Sequence, residues 1–596
     1  MRVTRISKIV GAAAIAALAL SACGGNTGGG NNAASGSSTS SGGGQITVAE
    51  VNGFSSFNQS TANGNSDING KIWYSTHAGF NYISKDLEVV KNEKFGKYEK
   101  VSDDPLTVKY TINDGVKWSD GTPVTADDYV LAWAVYSGWY DDATLDPNTG
   151  EVTKGNQYFE YAGTTLGLNN SKFPTVSEDK KSFTIEYTVP YADWEIAFNA
   201  PEVPAHVVAK KSGLADANAL TSLFKGMKKG DKASPAPKNA QLQKVADFYN
   251  KGFDSTSLPS DPSLYLSNGP FVVSSITDGE SVTLKKNPDY TWGTPAKVDT
   301  IVMRTIGDTQ AQVQALKNGE VDIAAPQASA DTLTSLEEIQ GAQIQKGDQL
   351  AYDHLDLNYS GVFADKNVRD AFMKTVPRKQ IVEGILTKMK PDAKILDSQL
   401  FVPAQDGYEK AAQENGSQNY QDVDIEGAKK LLAGKTPTVR IMYNKDNPNR
   451  VDAYTLIAQS ATQAGFKIVN NGAAAKEWSG KLGDGTYDAT VFGWTNPGVG
   501  VVGTSQIFGT GQSSNFNKFS SPEADKLMSE LNKTTDDAKK TELQQQIDKL
   551  VWDSKYGLPL FQSYGVEAFS DRVTGGVNYN PQQYGVWWDV WDWQLK

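Results

Sequence analysis

At 596 residues the chain is too long for one core, and two or three domains are expected. Its 39% hydrophobic and 21% charged residues fit a soluble globular protein, and a net charge of −12 repels phosphate backbones, which argues against a nucleic-acid partner. One cysteine, Cys23, and three scattered histidines (His77, His206, His354) leave no structural disulfide, no Cys-based zinc site and no HExxH spacing, so no cofactor or metal is expected.

The first elements form an address. Arg2, Arg5 and Lys8 precede the apolar run Ile9 to Leu20, which is too short to span a bilayer as a mature helix. Residues 1–22 thus read as a signal peptide. "LSAC", Leu20 to Cys23, resembles the lipobox of a bacterial lipoprotein, with Cys23 as the lipidated residue. An ordinary cleaved signal with an incidental cysteine is the other reading. The Gly- and Ser-rich stretch that follows has no apolar pattern, so 23–45 reads as lipidated cysteine plus flexible tether. The expected arrangement is a soluble body on a lipid leash outside the cytoplasmic membrane, since no second apolar stretch is long enough to cross it.

Gln45 to Val51 alternates as a first strand and leads into a polar loop, Asn52 to Gly70. Lys71 to Ile83 reads as a helix or strand opening a new unit. Leu106, Val108, Tyr110 and Ile112 alternate with polar residues as a half-buried strand. Asp114-Gly115 turns, Val116 to Trp118 returns as a short strand, and Asp120-Gly121 turns again. Thr125 and Asp128 fit a capping box, and Tyr129, Ala132, Trp133 and Tyr136 give the helix after it one apolar face. Asp114, Asp120 and Asp128 therefore have turn or cap roles. Gly319 fits a helix end with a strand following, and Ser521-Pro522-Glu523 fits a cap, a first-turn proline and a first-turn acid. Strands alternating with helices predict an α/β architecture.

Several of these stretches resemble the family 5 extracellular solute-binding proteins, which serve the peptide and nickel class of ATP-driven (ABC) importers. "DGVKWSDGTPVTADDYV" (Asp114 to Val130) looks like the family's signature. Ser267 to Val273, Leu284 to Gly293, Ala315 to Ala324, Asp365 to Leu386, Phe519 to Leu531 and Lys555 to Gln562 resemble further family segments in the right order. In one of them the usual Ile-Asp-Arg has become Val376-Pro377-Arg378. The resemblance covers roughly residues 46 to 590 and implies a two-lobed α/β binding-protein fold (type II-like) with an extra domain, a hinge and an interlobe ligand cleft. It implies lobe I from 46–80, 190–305 and 555–596, an extra domain from 81–189, and lobe II from 306–554. Crossings are expected near Met303 to Asp308 and Trp552 to Gly557, and Lys210 to Phe253 reads as an insertion.

The resemblance also directs attention to Tyr487 to Gly509. The family's peptide binders usually follow Gly-Trp with an Asp-Tyr pair and a proline, and the Asp grips a peptide's α-ammonium group. Here Gly493-Trp494 is followed by Thr495, Asn496 and Pro497, so the pair is missing. A buried ammonium without a carboxylate is costly. Trp494, Thr495 and Asn496 are candidate ligand contacts, Trp494 as a ligand wall or as core packing. The loop after the first strand contributes Asn52, Phe54 and Asn63, for which turn chemistry is the alternative. Asp353 and Asp356 point to opposite faces of an alternating segment. His354, Asp356 and Asn358 share one face, which either lines the cleft or is solvated. Asn358 matches an Asn common in the family's strand. Trp587, Trp591 and Trp593 fall together on an alternating strand and are expected to pack the final domain.

No enzyme motif emerges. "LLAGKTPT" (Leu431 to Thr438) ends like a phosphate loop but has Lys429 where the first glycine belongs, and reads as a loop after a helix. No nucleophile elbow or paired carboxylates are visible, which leaves a secreted hydrolase as a remote alternative. The expectation is a non-catalytic, monomeric lipoprotein that captures oligopeptides by hinge closure and hands them to ABC permease subunits. An oligosaccharide or other non-peptide ligand in the same fold is the alternative, and scattered histidines count against nickel.

Overall fold

The computed structural model of the chain describes residues 43–145, 152–495, 499–512 and 514–596; Cys23 and Asn496 lie outside them. Strand Gln45–Glu50 forms as the alternation predicts, but five of its six residues are buried, because it sits inside a sheet covered on both faces. Among the described residues that sheet has ten strands. In spatial order they are 271–277, 281–286, 300–305, 45–50, 323–324, 557–569, 343–357, 489–495, 438–443 and 467–470.

Two long antiparallel strands, Gln343–Leu357 and Gly557–Phe569, carry the sheet from one half to the other. Gln343 to Asp348 pairs with Phe569 to Tyr564, and Tyr352 to Asp356 pairs with Gln562 to Gly557. Between these runs three residues, 349–351, face the single residue Ser563. Such a bulge bends the ladder and increases its twist. The break is held by Gln562 Nε2 donating to the Gln349 carbonyl (2.8 Å) and by the Leu350 N–H donating to the Pro581 carbonyl (2.8 Å).

The first half of the sheet packs Ile46, Val48, Ile301 and Met303 against Phe271, Trp587 and Trp593. The second half packs Leu355, Val439, Ile441 and Val491 against Phe363 and Phe372. Strand Ile323–Ala324 pairs with 45–50, while the helices on either side of it, Thr309–Lys317 and Ala330–Glu337, bury Val313, Leu316, Leu333 and Leu336 in the same core as Leu355 and Ile441. The strand passages lie at the 349–351 break and the facing Ser563.

A separate four-stranded sheet, 96–103, 106–112, 182–186 and 175–176, builds the extra unit. Its core stacks Tyr110 on Phe183 at 4.7 Å, nearly parallel. Helix Ala126–Tyr136 starts at the expected capping box: Asp128 accepts the Thr125 N–H at 2.8 Å. The same carboxylate accepts the Ala205 N–H at 2.8 Å, and burial pushes it up to about 6. Asp120 accepts from the Thr122 N–H and pairs with His206 at 3.0 Å. Asp120 and Asp128 are architectural, as read, whereas Asp114 is exposed and pairs with Lys181 at 2.8 Å. Val116 to Trp118 forms no extended strand; its pairing is one bridge, Lys117 with Pro123, because the second turn follows too closely.

Residues 205–253 join this unit, not lobe I as the resemblance implied. Helices Ala205–Lys211, Ala217–Lys225 and Ala240–Lys251 bury Val208, Leu220, Phe224, Leu242, Val245 and Tyr249 in the same core as Tyr110 and Trp133. Tyr140 stacks on Phe224 at 5.6 Å. The tail also differs from expectation. Gly585–Asp592 winds into 3-10 turns, started by Gly585 at φ +50°, so the tryptophans are not strand neighbours. Trp587 and Trp593 still meet, 5.2 Å apart and fully buried, while Trp591 packs on Tyr74 and Tyr82.

Candidate functional site

Strand Ala489–Thr495 runs along the second half of the sheet and ends in the segment singled out by sequence. On one side it pairs with 351–357 along its full length. On the other, strand Thr438–Tyr443 pairs only with Ala489 to Val491 and then turns away at Asn444. Among the described residues no strand covers Phe492 to Thr495 on that side. Phe492 is buried, at 1% exposed, but from Gly493 to Thr495 the edge without a strand partner becomes exposed, beside a cavity of about 210 Å³ lined by Gly493, Thr495, Ala351, Asn447 and Tyr564 among others.

Asp353 and Arg450 also line that cavity. Asn447 caps helix Pro448–Gln463 and its side chain accepts the Arg450 N–H, which fixes Arg450 in the first turn. From there the guanidinium forks onto Asp353, Nη2 to Oδ1 at 3.1 Å and Nε to Oδ2 at 3.3 Å. Bidentate geometry of this kind is the strong form of the interaction. Both side chains are mostly buried, 17% and 10% exposed. Gly493 makes room for them: a Cβ there would lie 2.7 Å from Asp353 Oδ1 and 3.0 Å from Arg450 Nη2. Arg450 carried no signal in the sequence, and Asp353 was noted only for its direction.

Trp494 points to the opposite face. Its ring lies parallel to Phe516 at 5.9 Å and to His354 at 6.1 Å, with Phe492 edge-on at 5.2 Å. The indole is half-buried, and its Nε1 has no hydrogen-bond partner among the described residues. Thr495, next along, is exposed.

His354 and Asp356 share a face, as the alternation predicted, with Nδ1 to Oδ1 at 2.7 Å. That face is neither an open cleft nor solvated: His354, Asp356 and Asn358 are 1%, 2% and 1% exposed. Tyr556 covers Asp356 and donates to its Oδ2, and Phe492 packs 4.2 Å from His354. Asn358 is used architecturally, donating to the Tyr487 carbonyl and accepting the Ser360 N–H. In the loop after the first strand, Phe54 is a core residue against Phe57, 4.8 Å away, and not an exposed contact. Asn52 and Asn63 are exposed; their amides donate to Asp67 and Asp254 at 2.8 and 2.7 Å.

A larger cavity of about 660 Å³ separates the extra unit from the second half of the large sheet. Leu87, Val89 and Ala192 to Ile196 wall one side; Leu400, Phe401, Val499 to Val501 and Lys540 wall the other. Asp193 bridges the gap. Its carboxylate accepts the Val501 N–H at 3.0 and 2.9 Å and the Val502 N–H at 3.0 Å. Burial pushes this carboxyl up, and the Val502 and Val501 amides pull it down. The Ala192 N–H donates to the Asn532 carbonyl nearby, at 2.9 Å. Among the described residues no helix is long and apolar enough to cross a membrane, and no group of three or more His, Cys, Asp or Glu could hold a metal.

Residues 93–515 match the family described as bacterial extracellular solute-binding proteins, family 5, middle. The oligopeptide-binding protein OppA of Mycobacterium tuberculosis is 26% identical over 497 residues, covering 80% of this chain and 73% of that protein. An uncharacterized lipoprotein of the same species is 26% identical over 607 residues, covering 100% and 99%. In fold, the chain is similar to the periplasmic EDTA-binding protein EppA (TM-score 0.77, 21% identity, 93% and 97% covered). It is likewise similar to the oligopeptide-binding protein AppA of Bacillus subtilis, solved with a nonapeptide (TM-score 0.71, 18% identity, 93% and 99% covered).

Proposed function

Because the chain belongs to the bacterial extracellular solute-binding proteins of family 5, we propose that it captures oligopeptides for an ABC importer. The observation that carries this reading is the unpaired, accessible edge at Gly493 to Thr495. An exposed sheet edge is a template for an extended backbone, whose main-chain hydrogen bonds give affinity irrespective of side chains. The Arg450–Asp353 fork stands next to that edge and offers a guanidinium to a carboxylate and a carboxylate to an ammonium. This supplies a charged anchor where the family's Asp-Tyr pair is missing. Trp494 and Thr495 are the remaining wall, with Asn496, Asn52 and Asn63 as contacts contributed from the flanking loops.

The two halves of the large sheet act as lobes that close about the break at 349–351 and Ser563. We divide the chain accordingly, with 190–253 assigned to the extra domain. Ligand stabilises the closed form through its higher affinity for that form, and the closed form docks on the permease. Cys23 is the lipid anchor and 24–44 the tether, a reading supported by the lipoprotein among the relatives. The body acts as a monomer at the outer face of the cell membrane and makes or breaks no bond.

A second reading, an oligosaccharide or other non-peptide ligand, is favoured by the parallel Trp494 and Phe516 rings, which suit a sugar face. Thermal shifts of residues 45–596 against peptide and oligosaccharide libraries decide between them. Ligand at a hundredfold excess over Kd stabilises by about 2.7 kcal/mol. Shifts with peptides support the first reading; shifts with sugars alone overturn it.

A further inference from the structure

The hairpin joining strands Asn81–Ile83 and Val89–Lys91 ends in an unusual residue. Leu87 has φ +63°, the left-handed region that glycine and asparagine occupy most easily. The turn is tightly closed around it. Leu87 N–H donates to the Ser84 carbonyl at 3.1 Å, Ser84 N–H to the Glu88 carbonyl at 2.9 Å, and Ser84 Oγ accepts from Asp86 and Glu88. Gln582 Nε2 donates to the Ile83 and Ser84 carbonyls and holds the hairpin base. A leucine here strains the turn, and its side chain explains why it is tolerated: it packs against Leu350, Tyr352, Leu396 and Val402, with Trp494 and Tyr408 on the same cluster.

This socket has three properties of a ligand subsite. It is apolar and lies on the second half of the large sheet, whereas its occupant comes from the hairpin leading into the extra unit. It is built on Leu350 and Tyr352, which belong to and border the 349–351 break, so filling it engages the two strands about which the lobes close. It adjoins Trp494, the wall of the open edge. A strained residue reaching across a cavity into an apolar socket is placed as a ligand's side chain would be.

We propose that this socket is the subsite for a bulky aliphatic side chain of the ligand, and that Leu87 is its resident occupant, displaced when ligand binds. The proposal rests on the peptide reading above and names a preference within it: extended peptides carrying a leucine-sized side chain over those with alanine throughout. The hairpin tip competes with ligand and steadies the lobes while the site is empty.

Leu87→Gly tests both halves, since glycine suits the turn and removes the plug. Residues 45–596 contain no cysteine, so spin labels can be placed at Asp86→Cys and Asp406→Cys, two exposed positions on opposite sides. In unliganded protein the label separation is expected to be narrow with Leu87 and broad with glycine; identical distributions overturn the plug. Calorimetry with Ala-Ala-Leu-Ala-Ala and penta-alanine is expected to show the leucine peptide bound at least tenfold tighter. L87G should tighten the leucine peptide severalfold. Equal affinity for the two peptides overturns the subsite, and unchanged affinity in L87G overturns the competition. If neither peptide binds either protein, the peptide reading fails and the subsite with it, while the label distances still judge the plug.

Discussion

Asp193 and Val501 join the two walls of the larger cavity: both carboxylate oxygens of Asp193 accept the same Val501 N–H, at 3.0 and 2.9 Å. The bond spans 308 residues of sequence, from the extra unit to the start of helix Val502–Phe508. Asp193→Ala leaves two nearly buried amides without their acceptor. A loss of about 1–3 kcal/mol follows for such groups, here from the closed form in particular. The expected outcome is a larger radius of gyration by small-angle scattering together with a lower melting temperature; an unchanged radius would show that the bond does not hold the walls together.

Arg450 and Asp353 set a second expectation. Removing one partner of a mostly buried ion pair leaves an uncompensated charge and costs on the order of 3 kcal/mol. Arg450→Ala should destabilise the protein by about that much and weaken peptide binding at least tenfold. Arg450→Met with Asp353→Asn should recover most of the stability and none of the binding. Calorimetry and urea unfolding read the two effects separately.

Gly493 tests the same site through sterics. A Cβ 2.7 Å from Asp353 Oδ1 must displace the carboxylate or the strand. Gly493→Ala is expected to cost about 1–3 kcal/mol, as overpacking does, and to abolish binding while circular dichroism remains that of the folded protein. Full binding by this variant would mean that the fork is not a ligand contact.

Two buried glutamates give a pH dependence. Burial pushes Glu202 and Glu567 up to about 8. The native state then holds protons that the unfolded state has released between about pH 4.5 and 8, so stability falls as pH rises through that window. Glu567 stands on a hinge strand near Lys71, Glu50 and Asp589. Glu567→Gln should flatten the fall, with a gain at pH 8 on the order of 1 kcal/mol or more. Chemical unfolding at pH 5 and pH 8 measures it; a slope identical to wild type would place the proton elsewhere.

Local chemistry was legible in the sequence and tertiary partnership was not. The Thr125–Asp128 capping box, the cap at Ser521 and the helix end before Gly319 depend on residues three or four apart, and they stand where read. Alternation identified Tyr352 to Asn358 as strand-like, which is the end of strand Gln343–Leu357, and put His354 and Asp356 on one face. It could not say that the strand serves both halves of the sheet, or that the His354 face is roofed by Tyr556, 200 residues on. The apolar faces of 205–251 were equally silent about which core they join. Arg450 and Asp353 are 97 residues apart, and Asp193 binds backbone amides, which leave no trace in residue type. The tail tryptophans were read as a strand because nothing in their spacing reveals the turn at Gly585.

The central claim is that the ligand is a peptide held by its backbone along Gly493 to Thr495. The measurement that tests it most directly is calorimetry of residues 45–596 with one leucine-containing pentapeptide and with its backbone N-methylated counterpart. N-methylation removes the donors that a sheet edge requires and leaves the side chains in place. The account predicts that the unmodified peptide binds and that methylation at the central residues weakens it at least tenfold. Equal affinity for the two, or binding only of oligosaccharides, would contradict it.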